Sequence, residues 1–181
     1  TDEELVYTAV HEYTHHLIAE EQLAINGSAY MPNAKVHTEA FWVKFHSLLK
    51  IAEEKKYYSI NIDSVPELKE LTENIQKNYL EANGKLMQEF GRLLSKAHAL
   101  CEKANIRYED YLDRVLCLPR NSARDIKRVG QISDIDPAIG FDNMKMISTI
   151  KKSDERAKAQ EQILSGESPV TVRSLMKQKC Q

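Results

Sequence analysis

His11-Glu12-Tyr13-Thr14-His15 is an H-E-x-x-H sequence, and the segment around it reads as one helix over residues 3–24. Val6, Val10, Tyr13 and Leu17 recur at helical spacing and form an apolar stripe. Asn26-Gly27-Ser28 stops the helix, with Gly27 available for a left-handed cap. Residues four apart share a helix face about 5–6 Å apart. Two imidazoles there can converge on one zinc ion at about 2.0–2.1 Å each. Glu12, between them, can take a proton from a water that the metal activates. The composition predicts only about 0.02 chance matches to this motif. The wheel sets His11 and His15 opposite the stripe, so the stripe is expected to pack the core while the histidines face the site. Thr8, Ala9, Val10, Tyr13, Thr14, His16 and Leu17 are uncharged, which suits a helix buried inside a catalytic domain.

A catalytic zinc site uses three protein ligands and leaves a position for water. The candidates for the third are Glu20, His37, Glu39, Glu53 and His46. His37 is favoured because it precedes a second helix, roughly residues 38–56, on the wheel face of Phe41 and Phe45. That helix carries a stripe of Phe41, Phe45, Leu48 and Ala52, flanked by Trp42 and Leu49. Tyr30, His46, Tyr57 and Tyr58 are open as transition-state stabilisers, with none assigned.

The motif, a variable loop, and then His37-x-x-x-Phe41-Trp42 resemble the SprT-like (Spartan-type) zinc metallopeptidases of the zincin superfamily, over about residues 3–55. The resemblance implies zinc held by His11, His15 and His37, Glu12 as general base, and a protein or peptide substrate. The loop between His15 and His37 is longer than that family leads one to expect. The family also places a small sheet ahead of the active helix. The chain starts at Thr1 without Met, so that portion is expected to have been trimmed, or the fold to be reduced. Compact H-E-x-x-H peptidases paired with regulators in mobile elements are a second resemblance.

Further along, residues 57–63 alternate and are expected to be extended. Ser64-Val65-Pro66-Glu67 reads as a capping box with Pro in the first turn. A long amphipathic stretch follows to about 104, and Asn83-Gly84 is expected to break it. From 106 the pattern turns to short helices: Tyr108–Leu116, a turn at Leu118-Pro119-Arg120-Asn121, and Ser122–Val129. Then come a turn at Asp136-Pro137, Asp142–Ile150, 154–165 closed by Gly166, and a last helix from Ser168-Pro169 to about 179. The expected fold is mostly α: a zincin-like active-site helix pair (1–60), connecting helices (61–105) and a small basic helical module (106–181).

Charge is unevenly spread. Residues 1–84 hold 7 Lys/Arg against 14 Asp/Glu, a balance of −7, and residues 85–181 hold 18 against 13, a balance of +5. Arg120, Arg124, Lys127 and Arg128 cluster at and after the candidate turn, as in a helix-turn-helix, and make DNA a candidate partner of this half. Lys151, Lys152, Arg173, Lys177 and Lys179 are further candidates for phosphate. The region loosely resembles helical phage and plasmid proteins with such modules. Three dispersed cysteines, no apolar run of about 18 residues and no signal-like N-terminus lead to the expectation of a cytoplasmic protein without membrane partners. The functional expectation is therefore a zinc metallopeptidase. The alternatives are a DNA-binding or regulatory helical protein of a mobile element, with structural or vestigial zinc, and a small-molecule amide hydrolase with the same zinc chemistry.

Overall fold

The computed structural model describes residues 1–27 and 36–179, with side chains to Lys177. Tyr30, the Met31-Pro32-Asn33 loop, the Lys179 side chain and Cys180 lie outside the described residues. The chain is mostly α, with no strand among the described residues, and it divides into two compact units. One comprises 1–64 and 168–181, the other 65–167. Residues expected to connect two modules (61–105) fold mostly into the second unit, and the C-terminal helix joins the first. Among the described residues, no helix is long and apolar enough to cross a membrane.

In the first unit, α1 (Asp2–Asn26) begins at a Thr1–Glu4 capping box and ends at Gly27, whose φ of 69° only glycine adopts cheaply. After it comes α2 (Glu39–Glu54), capped by the Thr38 hydroxyl, which accepts the Phe41 N–H at 3.2 Å. The two helices pack through Phe41, Phe45 and Leu49, with Val10, Ile18, Trp42 and Tyr58 around them. Burying each phenylalanine contributes about 1.5–3 kcal/mol. An ion pair between Glu21 and Lys44 joins α1 to α2 at the edge.

The packed face of α1 differs from the expected stripe. Tyr13 is exposed, and the one buried residue is Thr14, with Val10, His11, His15 and Ile18 half-buried beside it. That face lies between the stripe and the histidines. The aromatic rings of α2 take the histidine side because His11 and His15 pack on Phe41. Nor is α1 enclosed within a domain; most of its surface is exposed.

Residues 57–61 form no strand, and a 3₁₀ turn occupies Ile62–Ser64. The Ser64 hydroxyl donates to the Asn61 carbonyl, so Val65, without a side-chain cap, opens the next helix.

In the second unit, α3 (Pro66–Ile75) passes through a π-helical stretch (Gln76–Glu81) into α4 (Ala82–Lys103) without a break at Asn83-Gly84. Gly84 serves packing instead: a Cβ there would lie 2.6 Å from the Pro137 carbonyl oxygen. A helical turn, α5 (Tyr108–Asp110), widens into a π-helical turn (Tyr111–Val115). The next helix, α6 (Arg120–Gln131), starts at Pro119 rather than at Ser122. A 3₁₀ turn (Pro137–Ile139), α7 (Phe141–Ile147) and α8 (Ser153–Leu164) complete the unit. α9 (Pro169–Lys179) packs on α2 of the first unit, where Lys177 pairs with Glu39 at 2.7 Å.

Leu94, Leu112, Ala123 and Ile126 form the core under α4 and α6. The two helices cross at backbone contact: a Cβ on Gly91 would lie 2.2 Å from the Ile126 carbonyl oxygen, and one on Gly130 2.5 Å from the Gly91 carbonyl carbon. Buried Gln88 donates to the Ile135 carbonyl at 2.8 Å. Gln160 accepts the Asp136 N–H and donates to the Asp134 carbonyl, pinning the loop between α6 and α7.

The expected charge split does not survive this division. Residues 65–167 carry 17 Lys/Arg and 17 Asp/Glu, and the other unit 8 against 10. Acidic 65–84 folds with the basic stretch after it, and Arg173 and Lys177 of α9 fold with acidic α2.

The Gly91–Gly130 crossing yields a prediction. Gly91→Ala and Gly130→Ala should each destabilise the chain by about 1–3 kcal/mol, towards the upper end because the obstacle is backbone. Urea unfolding followed by far-UV circular dichroism reads this as a lower midpoint. Unchanged midpoints would mean the helices can separate without cost.

Candidate metal centre

His11 and His15 sit one turn apart on α1, and His37 stands just before the α2 cap, Thr38. Packing α2 on α1 brings the three together. One ligand atom from each ring lies within 4.8 Å of the others, and among the described residues no other His, Cys, Asp or Glu joins them. The Nε2 atoms of His11 and His37 are 2.9 Å apart. Two nitrogens on a tetrahedral zinc are separated by about 3.3 Å, so a small outward movement admits an ion.

Phe41 sets the rings. It is fully buried, and its ring centre lies 5.1 Å from that of His11, 4.5 Å from His15 and 4.7 Å from His37. Trp42 stacks on His37 at 5.6 Å. Phe41, expected only as a core residue of α2, also forms the floor of the triad. Its position four residues after His37 was the available signal. His11 and His15 are half-buried and His37 is exposed, so among the described residues nothing covers the side of His37 away from Phe41.

The Glu12 carboxylate accepts from His11 Nδ1 at 3.1 Å. A proton on Nδ1 leaves the His11 Nε2 lone pair directed at His37, the tautomer a metal ligand needs. The Glu12 side chain is 70% exposed, so this bond can be exchanged for one to water.

The other candidates lie elsewhere. Glu20 reaches His16 at 3.4 Å. Glu39 is held by Lys177, whose hydrogen bond and charge keep its carboxyl below the usual range. His46 packs beside Trp42 and Phe45, outside the triad. Burial first, and then the charge of Glu53, raise the pKa of the Tyr58 phenol. Tyr58 sits 6.4 Å from Tyr7, and Tyr57 is exposed.

The basic residues of the second unit make contacts of their own. Arg120 forms a double hydrogen bond with Asp113. Arg124 donates to the Asn121 side chain at 3.1 Å. Lys127 reaches His98 Nδ1 and stands over the Tyr108 ring. Arg128 is held by Asp125 and Ser148. Lys152 pairs with Glu155.

No protein-family model, curated protein or solved structure matches the chain.

His15 is pushed below the ordinary histidine value of 6.5, first by burial and then by the charges His11 and His37 carry when protonated, with Glu12 opposing. The folded chain therefore binds fewer protons than the unfolded chain in the interval below that value. The resulting stability is fully present above about pH 6.5 and is lost as pH falls through the lowered folded value. Metal-free wild type should accordingly lose melting temperature between about pH 7 and 5. His15→Gln should lose less over the same interval. Parallel losses in thermal unfolding would exclude His15 as a source.

Proposed function

We propose that the chain is a zinc metallopeptidase in which His11, His15 and His37 hold the metal and Glu12 is the general base. The observation that carries this reading is the convergence of three imidazole donors within 4.8 Å, with His37 exposed. Three imidazoles with an open fourth position are the donor set of catalytic zinc, whereas structural zinc is closed by four protein ligands. The resemblance of residues 3–55 to SprT-like peptidases supports the same roles. An exposed face suits an extended polypeptide better than a small molecule, which is usually enclosed in a cleft.

Bound zinc supplies a Lewis acid that polarises an amide carbonyl and brings a water's pKa towards neutrality. Glu12 releases His11 Nδ1, accepts the proton of the attacking water and passes it to the leaving amine. Phe41 keeps the three rings converged and excludes solvent from their inner side. Trp42 holds the His37 plane. A reducing, cytoplasmic setting belongs to the proposal, with Cys101 and Cys117 as free thiols.

The expected outcome is about one zinc per purified chain by elemental analysis. His37→Ala should lose most of it on dialysis while its far-UV circular dichroism persists. Glu12→Gln should retain zinc and hydrolyse an unfolded protein substrate about 10²–10⁴-fold more slowly. Full zinc occupancy in His37→Ala would remove the third ligand, and wild-type turnover by Glu12→Gln would remove the mechanism.

A further inference from the structure

The second unit contains a short helical segment, Tyr108–Val115, followed by a turn and α6, and the outer face of α6 takes no part in the metal centre. After the π-helical turn Tyr111–Val115 the chain reverses through Cys117, a non-glycine residue at φ 50°. That conformation is costly for a side-chain-bearing residue, and the packing around it must hold it. Leu118 donates its N–H to the Leu112 carbonyl at 2.9 Å, and Leu118 packs on the core of Leu112, Ala123 and Ile126. α6 is in turn fixed to α4 by the glycine crossing. The turn lacks a glycine, and Cys117 occupies the left-handed position in its place.

α6 buries Ala123, Ile126 and Val129 and turns a different set outward. Arg120, Asn121, Ser122 and Arg124 are exposed in its first two turns, and Lys127 and Arg128 are half-buried behind them. The four basic residues line one groove of about 460 Å³ beside Tyr108 and Glu109. Arg120, Lys127 and Arg128 are oriented by intrachain partners. Among the described residues no carboxylate pairs with Arg124, whose guanidinium meets only the Asn121 amide oxygen.

We propose that this face docks α6 in the major groove of duplex DNA. A helix with its side chains is about 10–12 Å across, and the groove is about 12 Å wide. In a helix-turn-helix the first residues of the second helix meet base edges. Asn121 carries a donor and an acceptor that match N7 and N6–H of adenine, and Arg124 carries paired donors that match O6 and N7 of guanine. Arg120, Lys127 and Arg128 flank them for phosphates, and charge complementarity selects a polyanion. The second unit carries no net charge, so the attraction is local to this face and screened steeply by salt.

The test uses the full chain and a 20-base-pair duplex of random sequence, with fluorescence anisotropy at 50 and 200 mM salt. Three phosphate contacts, by Arg120, Lys127 and Arg128, predict a slope of log K against log salt of about −2.7. Arg124→Glu should weaken binding at least tenfold at 50 mM. Arg124→Gln, a milder change at an exposed position, should weaken it several-fold with an unchanged circular dichroism spectrum. Lys158→Glu makes the same charge change on exposed α8 and should stay within about twofold of wild type. No binding at 50 mM overturns the proposal, and so does an equal loss in Lys158→Glu. A polyglutamate peptide binding as tightly as the duplex would overturn it in favour of an acidic protein partner.

Discussion

One phenylalanine ring underlies the first unit. Phe41 touches all three imidazoles and is itself sealed between α1 and α2. Two histidines four apart on a helix supply only a pair of donors on one side of a ligand. The third donor comes from a segment 22 residues later in the chain, and only the pairing of α2 with α1 brings it in. Phe41 provides both the packing that pairs the helices and the surface on which the rings rest. Core and site are therefore one structure, and a change in the α1–α2 fit is felt directly at the imidazoles.

The second unit is governed by a different constraint, the absence of side chains at Gly91 and Gly130. Helices normally stand 8–10 Å apart. Here α4 and α6 meet at the backbone, and this fixes the roll of α6 about its axis. The roll decides which α6 residues are covered and which face outward. The left-handed Cys117 sets where α6 begins. The glycines thus control the second unit's surface chemistry as Phe41 controls that of the first.

The charge pattern shows how far linear order can mislead. Cut at residue 84, the chain looks like an acidic half and a basic half. Folded, each unit is close to neutral, since the basic stretch shares its unit with acidic α3 and α9 brings Lys177 to Glu39. Arg120 and Arg128 are likewise engaged with Asp113 and Asp125. What remains is a local basic face rather than a basic domain.

Much of the local structure was legible in the sequence. Helical periodicity and end signals act within a few residues, so 3–24 and 38–56 anticipated Asp2–Asn26 and Glu39–Glu54, and Gly27 was recognisable as a left-handed cap. The mostly helical class follows from the same signals. The motif spacing placed two imidazoles on one side of α1, because helix geometry alone decides that. The tertiary structure decided the rest. It turned the packed face of α1 from the Val6–Leu17 stripe towards Thr14 and the histidines, keeping Val10 in the contact and leaving Tyr13 exposed, because the aromatic rings of α2 lie on the histidine side. It made Gly84 a contact for Pro137 instead of a helix break, since a glycine's packing neighbour is invisible until the chain folds back. It left residues 57–61 without a strand, because a short alternating segment needs a partner strand and finds none among the described residues. The convergence of His37 on His11 and His15 also belongs to the tertiary structure, because two elements far apart in the chain meet only when their apolar faces are buried together.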